Sequence, residues 1–236
     1  SLPGEIARRQ NLKDKLDAAA RRLEEAARKD GDDDDNEPPK PPEPDKQTNL
    51  TDPDSAIMRK SARHEYRQAY NAQAIVDADG SQLVLGSDVY STTNDRAGFN
   101  GMIEALCDDV GVPETLLGDA GYASGKIIAL LEDRKIEPLI AVSRTQTPRK
   151  YDFRPPPDNP GPKKNITAPW RLAMQEKLQT EEARHKYKKR KSTVEPVFGI
   201  IKSVLGFTKF HLRGIEKVKN EWLLVTLAYN CKRMTR

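Results

Sequence analysis

Apolar positions early in the chain recur at helical spacing. Leu12, Leu16, Ala19 and Leu23 share one face between Ile6 and Lys29, with acidic and basic residues around the rest, which predicts a charged amphipathic helix within residues 1–30. The period then shortens. Gln68 to Val76 and Gln82 to Tyr90 have strand character, and Asp77-Ala78-Asp79-Gly80 between them is a turn signal, so the pair predicts a hairpin. Ala97 to Val110 predicts a helix carrying Phe99, Met102, Ile103 and Leu106. Thr115 to Leu117 predicts a short buried strand, Ser124 to Lys135 a helix capped by Ser124, and Glu137 to Val142 another strand. Strand, helix and strand in this order are the pattern of an α/β sheet. Further on, Thr180 is the expected N-cap of a basic helix with Glu181 and Glu182 in its first turn. That helix runs through Tyr187 towards Lys202, with a kink expected at Pro196. Gly214 to Arg236 predicts a last helix with Trp222, Leu223, Leu224, Leu227 and Tyr229.

Two stretches break the periodic pattern. Residues 31–48 combine an aspartate run with prolines, where like charges repel and proline blocks helix and ladder, so a disordered linker is expected. Residues 145–167 are rich in proline and lysine and are expected to be a loop insertion. The resulting organisation is a helix over 1–30, a linker over 31–48 and one domain over 49–236.

Composition sharpens this picture. Charged residues make up 32% and hydrophobic residues 36% of 236 residues, so part of the chain should lie outside a core. No apolar run approaches membrane-spanning length, and no signal-like stretch opens the chain. Cys107 and Cys231 lie in no metal-ligand spacing and read as free thiols of a reducing cytoplasm. The net charge is only +4, but it is unevenly placed. From Ala141 onward there are 22 Lys/Arg against 8 Asp/Glu, the asymmetry of a polyanion-binding half.

Two acids stand out against this background. Asp119 follows the Thr115 strand, and strand ends in open α/β sheets border the crevice where ligands sit. It reads either as a cation ligand or as a turn or cap aspartate before the next helix. Glu195 is the only acid between Arg184 and Glu216. With Val194, Val197, Phe198 and Ile201 as neighbours it is expected on the core side, where a carboxylate needs a positive partner such as a metal ion. A salt bridge on a solvated face is the alternative, but it does not explain these apolar neighbours.

The order of several segments resembles the DDE transposases of bacterial insertion sequences. Tyr187, Arg190, Glu195 and Lys202 match their tyrosine–arginine–glutamate–lysine signature, although Arg190 to Glu195 is one residue longer than the commonest form. Asn49 to Ser55, Tyr70 to Asp77, Gly118 to Tyr122, Val194 to Gly199 and Leu212 to Val218 are similar to one subgroup of these enzymes. The resemblance implies a ribonuclease-H-like mixed sheet flanked by helices, incomplete at its N-terminal strand. It implies cleavage and strand transfer of double-stranded DNA with Mg2+ or Mn2+, a cytoplasmic, nucleoid-associated setting and a homodimer. Asp119 and Glu195 would be catalytic metal ligands, and Tyr187, Arg190 and Lys202 would hold DNA phosphates. Lys188, Lys189, Lys191, Lys209 and Arg213 would follow the backbone. The family's first aspartate, usually in an Asp-Gly-Thr stretch, has no counterpart here. Asp77 is the nearest substitute, though its context favours a turn, and Asp95 reads as an N-cap acid. An impaired enzyme, a non-catalytic DNA-binding remnant and a related nuclease that hydrolyses without joining are the readings this leaves.

Overall fold

A computed structural model describes residues 2–30, 47–59, 65–92, 94–96, 98–142 and 168–235, with the side chains of 25–30 excepted. The described residues form a mixed α/β structure of six α-helices and three two-stranded sheets. In order these are α1 (Leu2–Asp30), β1 (Ala56–Met58), β2 (Arg67–Ala69), β3 (Asn71–Val76), β4 (Val84–Tyr90), α2 (Phe99–Asp109), β5 (Thr115–Gly118), α3 (Gly125–Asp133), β6 (Glu137–Ile140), α4 (Pro169–Lys177), α5 (Glu181–Ser203) and α6 (Ile215–Met234). The linker expected at 31–48 lies outside the described residues except for 47 and 48, and the insertion at 145–167 lies outside them entirely.

The chain divides into two compact units. The first holds residues 1–72, 89–93 and 210–221. In it β1 pairs antiparallel with β2, with Ile57 opposite Gln68. Asp52 is buried and accepts hydrogen bonds from the Tyr70 hydroxyl at 2.8 Å and the Gly214 amide at 3.1 Å. Asp54 accepts from the first amide of α6, Ile215 N, at 2.9 Å, the favoured place for an anion. Two segments far apart in the chain, Asn49–Ser55 and Leu212–Val218, therefore meet through carboxylate-to-amide bonds.

The second unit holds residues 73–88, 94–209 and 222–236. Its centre is a β–α–β unit: β5 and β6 are parallel, with Leu117 opposite Leu139 and Gly118 opposite Ile140, and α3 connects them. Ile127, Ile128 and Leu131 of α3 pack with Phe99 and Ile103 of α2, with Ile136 and Ile140, and with Met174 of α4. Gly118 packs closely against β6, since a Cβ there would stand 3.1 Å from Ile140 Cγ1.

Local chemistry accounts for most element ends. Thr180 caps α5 by accepting from Ala183 N at 3.4 Å. Ser124 occupies the N-cap position of α3 without a side-chain bond. Asp77 closes the hairpin turn, accepting from the Asp79 and Ser81 amides and the Ser81 hydroxyl, and Gly80 takes a φ of 116° that other residues avoid. The Gln68–Val76 strand is split into β2 and β3 at Tyr70. The helix α5 continues through Pro196. Proline has no N–H to bond the carbonyl four residues back, and that carbonyl, Ser192 O, instead accepts from Gln82 Nε2 at 2.9 Å.

Candidate functional site

Asp119 stands at the C-terminal end of β5, half-buried, as its sequence position predicts. Its Oδ1 accepts from Gly121 N at 2.8 Å, so it caps the short 3-10 turn Ala120–Tyr122. Asp95 closes on the same turn. A Cβ added to Gly121 would collide with Asp95 Oδ2 and lie 2.9 Å from Asp119 Oδ1, so both carboxylates crowd one point. The phenol of Tyr122 registers both: burial first, then the charges of Asp95 and Asp119, push its pKa well above the ordinary value. Arg96 Nε donates to Gly121 O at 3.2 Å and Gln73 Nε2 to Asp95 O at 3.0 Å, which fixes the backbone around the two acids.

Asp95 stands ahead of the N-cap of α2 rather than at it. The N-cap of α2 is Gly98, with no side-chain bond. No periodic signal marks Asp95. It reaches Asp119 because the turn after β4 comes back to the end of β5.

The α5 helix is fastened against this region at several points. The Tyr187 hydroxyl donates to Gly118 O at 3.1 Å, one residue before Asp119. Lys186 pairs with Glu137 Oε2 at 3.1 Å, and Lys177 with Glu137 Oε1 at 3.2 Å. Burial alone would raise the Glu137 pKa, but hydrogen bonds from Lys186, Thr115 and Lys177 outweigh it and hold the carboxyl below its ordinary value. Lys189 pairs with Asp79 at 3.0 Å. The Arg190 guanidinium lies over the Tyr187 ring, 6.0 Å from its centroid. Lys188 and Lys191 are exposed.

Glu195 departs from expectation. It is exposed rather than on the core side, and it makes no described hydrogen bond or ion pair. The buried positions of α5 around it are Thr193, Val197 and Ile201. At about 100° per residue, Glu195 points away from both Thr193 and Val197. Of its apolar neighbours in sequence, Val197 and Ile201 are buried on another face, while Phe198, three residues on, lies on its own side of the helix. Lys202, seven residues on, shares its exposed side and lies 5.8 Å from the Phe198 ring centroid. The four signature residues thus form two pairs. Tyr187 and Arg190 lie towards the end of β5, and Glu195 and Lys202 lie towards solvent.

Asp77, the substitute considered for a first acid, is occupied as a turn residue. Its carboxyl is held below its ordinary value first by the Ser81 hydroxyl and then by turn amides. No group of three or more His, Cys, Asp or Glu able to hold a metal occurs among the described residues. Asp95 and Asp119 offer the oxygen donors that Mg2+ or Mn2+ takes, but they fit such an ion in kind and not in number.

A cation-rich helix is thus bonded to an acid-bearing strand end within one α/β unit. The family comparison is specific: the chain matches the transposase DDE domain over residues 42–231 and belongs to that family. No curated protein and no solved structure matches it. No described helix is long and apolar enough to cross a membrane.

Proposed function

We infer that the chain works in DNA transposition on duplex DNA, with a ribonuclease-H-like arrangement of its sheet and helices. Asp119 and Glu195 are the acids proposed for cleavage and strand transfer. Tyr187, Arg190 and Lys202 are the proposed phosphate contacts, with Mg2+ or Mn2+ as the metal. The observation that carries this reading is the bond from Tyr187 to Gly118 O, which ties the basic helix to the strand end bearing Asp119. Exposed Lys188 and Lys191 on the same helix are free to meet a polyanion, where Arg offers a fork and Lys a point charge. The surroundings of Asp119 and Glu195 support an impaired site, because two acids meet at Gly121 and Glu195 is not one of them. These 236 residues alone are therefore expected to bind duplex DNA and to cut it poorly.

The test measures duplex binding across a salt series and cleavage with Mg2+ or Mn2+. Affinity should fall steeply with salt, and Lys188→Ala with Lys191→Ala should lower the log–log slope by about 2. Absence of salt-sensitive binding would remove the reading. Robust cutting that Asp77→Ala abolishes would place the first acid at Asp77.

The exposure of Glu195 favours one second reading, a DNA-binding remnant without catalysis. A cleavage assay beside the binding assay, with Glu195→Gln as the variant, separates the two. The catalytic reading requires cutting that Glu195→Gln abolishes while DNA binding persists, and the remnant reading requires DNA binding without cutting, unchanged by Glu195→Gln.

A further inference from the structure

The antiparallel pair β1 and β2 belongs to the first unit, whereas Asp119, Tyr187 and Glu195 belong to the second. No residue of either strand is buried, so this ribbon forms no part of a core. Met58 stands opposite Arg67, which places the next positions outward, Arg59 and Tyr66, across from each other. The Arg59 guanidinium lies over the Tyr66 ring, 5.0 Å from its centroid. Tyr66 is nevertheless 62% exposed, and Arg59 and Arg67 are exposed too. Side chains alternate along a strand, so Arg67 stands on the other face of the ribbon from Tyr66.

The charge of this ribbon is not balanced within the protein. Over residues 56–69 there are four Lys/Arg against one Glu. Among the described residues neither Arg59 nor Arg67 has a hydrogen bond or an ion pair. The acids just before the ribbon are engaged elsewhere: Asp52 accepts from Tyr70 and Gly214, and Asp54 from Ile215. Stacking on Tyr66 uses the flat face of the Arg59 guanidinium and leaves its fork of N–H groups open. The base of the ribbon is fixed, because the Tyr70 hydroxyl shares Asp52 Oδ1 with Gly214 N and the Tyr70 ring meets Phe210 edge-on at 6.0 Å. That bond ties the ribbon to the turn carrying exposed Arg213, a residue already expected to follow a DNA backbone.

We propose that the β1/β2 ribbon is a separate arm for duplex DNA, lying in the major groove with its Arg59–Tyr66 face inward and Arg67 on a phosphate of the groove wall. The major groove admits a two-stranded ribbon, whereas a single strand offers no groove for it to enter. Tyr66 holds the Arg59 fork in place and adds a contact that carries no charge. This arm rests on the DNA reading given above. It adds a second contact surface that uses none of the cations of α5, and it explains why an aromatic ring and two unpaired arginines are kept in water on a ribbon without a core.

The experiment measures binding of the full chain, without metal, to a short mixed-sequence duplex and to one of its strands across a salt series. Arg59→Ala and Arg67→Ala should each lower the log–log slope for the duplex by about 1. Arg21→Ala, which removes an exposed arginine of α1 in the same unit, should leave the slope alone. Arg59→Lys should keep the slope but weaken duplex binding about tenfold, since a point charge replaces the fork. Tyr66→Ala should weaken duplex binding at every salt concentration with little change of slope. Binding of the single strand should not respond to Arg59→Lys or Tyr66→Ala. All these side chains are exposed, so folding is not at stake. Unchanged slopes in both alanine variants of the ribbon, an equal fall in Arg21→Ala, or an equal loss for the single strand would overturn the arm. Absence of salt-sensitive duplex binding by the unaltered chain would remove the DNA reading and the arm together. A slope that falls in Lys188→Ala with Lys191→Ala but not in the ribbon variants would remove the arm alone.

Discussion

Asp119 and Glu195 sit in opposite kinds of surroundings. Around Asp119, backbone and side chains are fixed by bonds from Gly121, Arg96, Gln73 and Tyr187, and a second carboxylate presses on the same turn. Around Glu195 there is solvent, and no described bond holds the side chain. A carboxylate is thus built into the protein at one place and merely presented by it at the other. Change at the first should be felt in stability, whereas change at the second should be felt only in chemistry on a substrate.

The largest expected effect is at Gly121. A Cβ there must displace Asp95 or Asp119, so Gly121→Ala should cost about 1–3 kcal/mol in urea unfolding. A neutral outcome would show that the two carboxylates are not held together. Next is the proline-orphaned carbonyl of α5. Gln82→Ala leaves Ser192 O without its protein donor and should cost no more than about 1 kcal/mol, because the bond is exposed. Full stability would mean that water replaces Gln82.

A smaller effect is expected from Glu137. Its folded-state pKa lies below the ordinary value of 4.5, so the folded state favours the charged form. Its contribution is complete above that value and is lost as pH falls through the lower folded-state pKa. Glu137→Gln should flatten acid unfolding in that window and leave neutral pH little changed. If the acid limb keeps its slope, the pairing with Lys186 and Lys177 does not stabilise the fold.

The smallest effect is at Glu195. Glu195→Gln should change stability by less than about 0.5 kcal/mol, as at an exposed site without partners. A loss above about 1 kcal/mol would make Glu195 a structural residue and erase the contrast with Asp119.

Much of the local structure was legible in the sequence. The α3 helix shows an apolar stripe with one polar side, and its buried residues Ile127, Ile128 and Leu131 are among those the spacing marks. The α6 helix is harder to read. Trp222 and Tyr229 are buried, but Leu223, Leu224 and Leu227 are exposed. Apolar residues occur nearly all round that helix, so periodicity selects no face. At the candidate site the position of Asp119 at a strand end was legible, because turn chemistry and a short apolar run mark it. The pairing of Asp119 with Asp95 was not, since the two are joined only by the return of the chain after β4. The bond from Gln73 Nε2 to Asp95 O was equally hidden, for a lone glutamine in an apolar run carries no sign of its partners.

The order of helices and strands, the capping of α5 by Thr180, the turn at Asp77–Gly80 and the cationic character of the later half were all set by neighbours close along the chain. Such interactions reach only a few residues, so they leave a trace in the sequence itself. Which acid meets which and where Glu195 points depend on how distant segments pack. Helix rotation and strand adjacency are chosen there by the burial of many side chains at once, and no single stretch records that choice.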